Sequence, residues 1–412
     1  MIAYIEKLLK GQPVEWKTLG EVFYIRNGYT PSKSNKSFWE KGDIPWFRME
    51  DIRTYGRILK DSILHITPEA IKGKGLFKKG SIILATSATI GEHAILEVDA
   101  LANQRFTNFQ VKEEFKRALL PKYVYYYFFV IDSWCKRNVQ LGNFSSVDLD
   151  KLKQQQLPIP PLNIQEEIVR ILDSLTELEA ELEAELEAEL EARKQQYEYY
   201  HNSLLSFADG SDVVYKTLEE VGVLYSGLKS KSKGDFIDGN ALYVPYKNVF
   251  KGLAVDFGYL EAVKVAPSEK QNAISYGDVL FTMSSESTEE LGMSAVVMEQ
   301  PAEPVYLNSF CFGLRLSPEA NIAPGYAKHL FRSAAMRKAI MKTGAGVTRI
   351  NISKERFKKI LIPIPSLAEQ ARIVDILDKL ATLTNSLTVA LSQEIEIRHK
   401  QYEYYREQLL TF

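Results

Sequence analysis

Cysteine is almost absent from this 412-residue chain: Cys135 and Cys311 are the only two, and neither has a CxxC or Cys/His neighbourhood. That argues against a disulfide framework or a cysteine metal site and suits a reducing, cytoplasmic setting. No stretch approaches the ~18 uninterrupted apolar residues of a membrane span. The opening MIAYIEKLLKGQPVEW lacks the layout of a signal peptide, so neither membrane nor export is expected. Net charge is −2, so whole-chain charge points to no partner. Catalytic signatures are missing too. GLFKKGS (75–81) has glycines at the interval of a phosphate loop, but Ser81 stands where the lysine belongs. There is no GxGxxG, HExxH or GxSxG, nor the Asn-Pro-Pro-aromatic motif that amino-methyltransferases use. The five histidines, His65, His93, His201, His329 and His399, are scattered. No catalytic or metal residue is assigned, and the chain is expected not to be an enzyme by itself.

What is present is written twice. LPIPPLNIQEEIVRILDSL (157–175) matches IPIPSLAEQARIVDILDKL (362–380), and RKQQYEYYHNSLLSF (193–207) matches RHKQYEYYREQLLTF (398–412), both at a shift of 205. WKTLGEV (16–22) matches YKTLEEV (215–221). KKGSIILATS (78–87) matches SYGDVLFTMS (275–284) more weakly, and Asn103 falls opposite Asn308. A repeat this long is no solenoid unit. It implies an N-terminal segment (1–11), a mixed globular block (12–161), a long helix (162–207), a second block (208–365) and a second long helix (366–412). IAYIEKLLK (2–10) reads as a degraded third copy of the YEYYHNSLL element and is expected near the C-terminal helix end.

Each long helix follows a proline-rich strap, with Asn163/Glu166 and Ser366/Glu369 in the form of a capping box. The apolar register Ile164, Ile168, Ile171, Leu175, Leu178, Leu182, Leu186, Leu190, Tyr197, Tyr200, Leu204, Phe207 reads as a coiled-coil seam. The second helix repeats it from Ile373 through Ile376, Leu380, Leu383, Leu387, Leu391, Ile395, Tyr402, Tyr405 and Leu409 to Phe412. Between Leu178 and Ala192 the first helix reads LEAELEAELEAELEA. A four-residue period is a stutter that unwinds a supercoil locally without destroying it. Each unit adds about 6 Å at 1.5 Å per residue, so the stretch reads as a spacer adjustable by units.

Charge is sorted by segment. Residues 12–161 carry 22 Lys/Arg against 16 Asp/Glu, and residues 212–365 carry 19 against 16. The long helices are acidic: 3 against 12 in 162–207 and 5 against 7 in 366–412. Basic residues of the blocks alternate with aromatic and amide groups, a mixture suited to duplex DNA. Cations neutralise phosphates, while Arg and Asn/Gln pair with base edges. The candidates in the first block are Lys33, Asn35, Lys36, Trp46, Arg48, Arg53, Arg57, the hydroxyls Thr86, Ser87 and Thr89, and Asn103, Gln104 and Arg105. In the second they are Lys229, Lys231, Lys233, Tyr246, Lys247, Asn248, Ser284, Ser285, Asn308 and Arg349. YVYYYFF (123–129) reads as core.

The doubled strap-and-helix, PIPPLNIQEEIVRILD and PIPSLAEQARIVDILD, the WKTLGEV and YKTLEEV openings, the ILATS stretch and the tetrapeptide repeat together resemble the specificity subunit of type I restriction–modification enzymes, over essentially the whole chain. The resemblance implies an α+β fold: two similar mixed α/β target-recognition domains separated by two long antiparallel coiled-coil helices, with pseudo-two-fold symmetry. It implies that each domain reads one half of a split double-stranded DNA site. It further implies partners, two methyltransferase (modification) subunits and motor–nuclease (restriction) subunits. Methyl donor and ATP are expected on those partners, with no cofactor in this chain. The competing expectation is a coiled-coil scaffold that binds proteins and no DNA.

Overall fold

The computed structural model describes residues 2–73, 75–140, 145–208, 212–346 and 348–412, with side chains from Ile5 onward. The chain forms two compact units. One comprises Met1–Glu185 with Gln393–Phe412, the other Leu186–Ser392. Each unit thus holds one block together with part of each long helix.

In the first unit, Phe23–Asn27, Phe106–Val111, Ile82–Ala85 and His93–Leu96 form an antiparallel run, and Ile58–Leu59 adds in parallel to the last of these. The central strand Ile82–Ala85 is buried throughout, as its unbroken apolar sequence demands. A small sheet, His65–Ile66, Ile44–Phe47 and Leu101–Ala102, lies within the same block. The aromatic run of 123–129 sits in the helix Pro121–Arg137 and feeds the core with Tyr123, Tyr126, Tyr127 and Phe128. The second unit repeats the plan. Gly222–Ser226, Cys311–Leu316, Val279–Thr282 and Ser294–Val296 form its main sheet, and Glu261–Val263, Ala241–Val244 and Val305–Leu307 the small one.

The two repeated motifs at the borders of each block turn out to be partners. Glu15–Thr18 pairs antiparallel with Gln156–Ile159, setting Trp16 opposite Pro158, and Val214–Thr217 pairs with Leu361–Ile364, setting Tyr215 opposite Pro363. The strap is therefore a strand that closes its block. Immediately after the first strand of each ladder, Thr18 and Glu21, and Thr217 and Glu220, exchange capping-box bonds.

The central helix runs unbroken from Leu162 to Leu204 and the C-terminal helix from Leu367 to Leu410, so the LEAE stretch is helical throughout. The expected capping boxes are corrected. Asn163 lies inside the first helix, whose opening bonds go to the Pro161 carbonyl. Ser366 does cap the second, accepting from Glu369 N at 3.2 Å, but the Glu369 carboxylate turns forward to Arg372. The proline at position 161, which corresponds to Ser366, leaves the first helix without a side-chain cap.

The expected seam also needs correction. Leu178, Tyr200, Leu383, Leu387 and Tyr405 are exposed, while Leu172, His201 and Leu377 are buried. The first turns of each helix pack on a block core, Ile164, Ile168 and Leu172 in one unit and Ile373 and Leu377 in the other. That core selects steps of four and so draws Leu172 and Leu377 inward beside the seam, while Leu182, Leu186, Leu190, Leu391 and Ile395 stay half-buried at their expected positions. Within the first unit the helices run antiparallel: Thr176 bonds Tyr402, and Glu179, a turn on, bonds His399, a turn back. The N-terminal segment forms the helix Ile2–Leu9 and places Ile5 in the core that holds Leu409 and Leu410, with the partly buried Leu8 and Leu9 packed against it.

Candidate nucleic-acid interface

Five segments meet along one rim of the first block. Trp46 Nε1 donates to the Tyr29 carbonyl (3.0 Å), and Asn103 N donates to the Phe47 carbonyl (3.0 Å). Thr86 N donates to the Arg105 carbonyl (3.0 Å), and Val147 N to the Thr86 carbonyl (2.9 Å). Thr30 and Gln104 join side chain to side chain. The second block repeats the junctions made by Asn103, Thr86 and Val147 and closes its rim with two others. Asn308 N donates to Val244 O (3.0 Å), Met283 N to Phe310 O (2.9 Å), Ile352 N to Met283 O (2.9 Å) and Leu228 N to Leu307 O (2.8 Å). Tyr246 Oη donates to the Ser284 carbonyl (3.0 Å).

At the centre of each rim is one turn. The Asn103 amide oxygen accepts from Arg105 N at 2.9 Å, and the Asn308 amide oxygen accepts from Phe310 N at 2.8 Å. Each asparagine spends its carbonyl on bending the chain, so the residue two further on is what the turn presents. That residue is an exposed arginine in the first block and an exposed phenylalanine in the second. The approach is close enough to require glycine. A Cβ on Gly28 would lie 2.2 Å from the Ala102 carbonyl oxygen, and one on Gly227 2.1 Å from that of Asn308.

The candidates divide by what surrounds them. Lys33, Lys36, Arg53, Gln104, Arg105, Lys229, Lys233, Lys247 and Arg349 are exposed. Asn35 is exposed but caps the turn Lys36–Phe38. Lys33, Lys36, Trp46 and Arg48 converge on one cleft of about 350 Å³, with Trp39, Glu40 and Leu64. Arg349 Nε donates to Ser284 Oγ (3.1 Å), and its guanidinium lies 5.2 Å from the Phe310 ring centroid. Ser87 and Thr89 are half-buried, Ser87 bridging to Ser146.

Other candidates serve the fold. Asn248 is buried, donates to the carbonyls of Asp256 and Tyr259 and accepts from Asp256 N. Its counterpart Asp51 holds Arg48 N and Ile63 N in the same way. Arg57 binds Asp132 and the His93 carbonyl and stacks on Phe129. Lys231 is neutralised by Glu269, whose carboxyl that ammonium, with Gln271 and Ala266 N, holds down at about 2. Thr86 is buried against Thr107, Ser284 is buried beneath Arg349 and Tyr246, and Ser285 is buried opposite Ile350. Sequence reasoning missed Phe310 and Lys354. Lys354 Nζ reaches Ser226 Oγ (3.2 Å), and burial, then Lys229 and Lys358, lower its pKa. The Asn103/Asn308 correspondence was the signal for Phe310, since the displayed residue lies two further on.

Among the described residues no cluster of metal-ligating side chains occurs, and no helix is long and apolar enough to cross a membrane.

The family model described as the type I restriction modification DNA specificity domain matches the chain twice, over residues 13–192 and 211–397. The type I restriction enzyme EcoprrI specificity subunit of Escherichia coli is 38% identical over 398 residues, covering 94% of this chain and 92% of the relative. The EcoR124I/EcoR124II specificity subunit, also of Escherichia coli, is 33% identical over 427 residues, covering 100% and 97%. Among solved structures, a chain from a type I R-M system studied for its complex assembly and conformational transition superposes with a TM-score of 0.71 at 16% identity, covering 97% and 98%. The HsdS subunit from Thermoanaerobacter tengcongensis superposes with a TM-score of 0.58, also at 16% identity, covering 98% and 99%. This chain belongs to the family of type I restriction–modification DNA specificity subunits.

Proposed function

We propose that each rim binds one half of a split site on double-stranded DNA, and that the chain confers sequence choice on an assembly whose chemistry resides elsewhere. The observation that carries this reading is the doubled rim. One backbone frame, with an asparagine turn at its centre, occurs twice and displays arginine in one copy and phenylalanine in the other. Two readers with a common frame and different side chains suit an asymmetric two-part site. Exposed Lys and Arg around each rim supply phosphate contacts, and Arg105, Gln104 and Arg349 are the groups suited to base edges.

The long helices then act as spacer and docking surface. Two methyltransferase subunits bind along them and supply the methyl donor site, and motor–nuclease subunits supply ATP-driven chemistry. This chain is non-catalytic, carries no cofactor and works in the cytoplasm. The test is to express it with the modification subunits and sequence the methylated bases. Replacing residues 12–155 by the corresponding block of another specificity subunit should change one half-site and leave the other intact. A change in both half-sites overturns the reading.

A further inference from the structure

We infer that the cleft walled by Trp39, with Trp46 behind it, seats a single unstacked nucleotide of the bound DNA, with its base against the Trp39 indole and its phosphate against Lys33 and Lys36. This rests on the DNA-recognition reading above and gives one of its two rims a chemistry of its own.

The two indoles meet edge to face with centroids 4.9 Å apart. Each ring N–H is already committed to a backbone carbonyl, Trp39 to Ser32 (3.1 Å) and Trp46 to Tyr29 (3.0 Å). The rings are held in place: Trp46 is buried and backs the wall, and the face offered to the cleft is that of the half-buried Trp39. Leu64 extends that wall across about 350 Å³. The mouth is cationic: among the residues that line the cleft, Lys33, Lys36 and Arg48 are basic and Glu40 is acidic. Arg48 Nε is buried without a hydrogen bond, its nearest carboxylate being that of Glu50 at 3.6 Å. Fixed aromatic faces behind a cationic mouth are what single-stranded nucleic acid uses: bases stack, phosphates pair with cations, and any base suffices because each has a π face. A base inside the duplex cannot reach such a wall, so the nucleotide must leave the stack. The cleft is well placed, because Phe47, between Trp46 and Arg48, carries the carbonyl that holds the Asn103 turn.

The second block provides an internal contrast. Its strand registers set Tyr243 where Trp46 stands, and Phe236 precedes Tyr243 by the same seven residues that separate Trp39 from Trp46, with centroids 5.3 Å apart. There, however, Glu261 replaces Leu64 and bonds the Tyr243 hydroxyl, and Pro245 replaces Arg48. A carboxylate in the wall and no arginine at the mouth disfavour a nucleotide. The slot is thus a property of the first block alone.

The test uses the full chain assembled with its modification subunits, after methylated-base sequencing has defined the site. Duplexes carry 2-aminopurine at each position in turn of the half-site read by the first block. One position should brighten several-fold on binding. Trp39→Ala should abolish that brightening and weaken duplex binding by about 5- to 150-fold, the range for one lost base–aromatic stack. Phe236→Ala should leave it unchanged. Lys33→Glu with Lys36→Glu, at exposed positions that carry no core packing, should also suppress the brightening, which guards against misfolding of the tryptophan variant. The proposal is overturned if no position brightens while binding is normal. It is overturned equally by brightening indifferent to Trp39, which belongs to the methylating partner's own site, or by free dAMP quenching the tryptophans as strongly as duplex does. Loss of all salt-dependent duplex binding by the unmodified assembly would instead remove the DNA-recognition reading itself.

Discussion

The hydroxyls of Thr176 and Tyr402 lie 2.9 Å apart, joining the central helix to the C-terminal helix within the first unit. Thr176 also donates to the Leu172 carbonyl at 2.8 Å, so its proton is spent and Tyr402 is the donor across the helices. One turn further along the C-terminal helix, the Arg406 guanidinium lies 3.8 Å from the Phe129 ring centroid and 5.2 Å from that of Tyr402. The C-terminal end of the chain is therefore latched to the block at whose border the chain begins.

The two contacts should differ in energy. Tyr402→Phe removes one exposed hydrogen bond and should cost no more than about 1 kcal/mol. Arg406→Ala removes a cation–π contact from a side chain only 12% exposed, together with the packing of its stem, and should cost roughly 2 kcal/mol or more. Denaturant unfolding of the two variants checks the order. Equal midpoints would show that the guanidinium contributes no more than the phenol.

Gln165 and Gln370 should be among the most sensitive polar positions. Each is fully buried and closes the same three bonds, accepting from Leu120 N or Ala323 N and donating to Ala118 and Pro160 carbonyls or to those of Asn321 and Pro365. Alanine at either position strands three buried backbone groups. A loss of roughly 2–4 kcal/mol is expected for each, read as a fall in melting temperature. Asp173→Ala and Asp378→Ala lose partly exposed bonds, to Lys122 and Tyr126 and to Lys328 and His329, and should cost less.

Acid should weaken the second unit. Burial, and then the neighbouring His329, push His201 down to about 4. Burial lowers His329 as well, against the opposing pull of Asp378. A base whose folded pKa lies below the unfolded value of about 6.5 stays neutral in the native chain, while the unfolded chain takes up the proton. The stability it contributes is complete above about 6.5 and is lost as pH falls toward 4, at up to about 1.4 kcal/mol per pH unit for each titrating group. Asp378, lowered from the usual carboxylate range by Lys328 and His329 despite its burial, releases its share only below about pH 4. His201→Gln should flatten the acid limb between pH 6.5 and 4.5. In the first unit the corresponding residue is Arg406. An unchanged limb in the variant would locate the acid sensitivity elsewhere.

The repeat made most of the architecture legible. Two copies at a shift of 205 announced two blocks and two helices, and aromatic density marked 123–129 as core. The pairing of strap with opening strand was not legible, because WKT and PIPP are distant and no local rule joins them. The seam was legible in period and at most of its positions. It failed at Leu178, Tyr200, Leu383, Leu387 and Tyr405, which are exposed, and it missed Leu172 and Leu377, which the block cores draw inward and the helix pattern does not record. Among the interface candidates, residue type was a poor guide where a buried loop needed an amide or a guanidinium, as at Asn248 and Arg57. Correspondence between the halves was the better guide: Asn103 and Asn308 build one turn, and that turn identifies Arg105 and Phe310 as the displayed residues.

The tetrapeptide repeat yields the sharpest genetic test. Leu182, Leu186 and Leu190 are each half-buried, at intervals of four, while the glutamates between them are exposed. Removing Leu182 to Glu185 takes out one complete period, so the apolar face is rejoined to itself and the helix stays continuous. The helix shortens by about 6 Å, which along duplex DNA is at most about 2 bp. If the helix is the spacer between two readers, methylation mapping should show the non-specific gap reduced by one or two base pairs and both half-sites unaltered. Inserting LEAE should lengthen it by the same amount. Because four residues turn a helix by slightly more than one full revolution, each step also rotates one reader relative to the other, so activity should fall after two or more units even where the length still fits. An unchanged gap in either variant would refute the spacer role and leave the repeat as a docking surface alone.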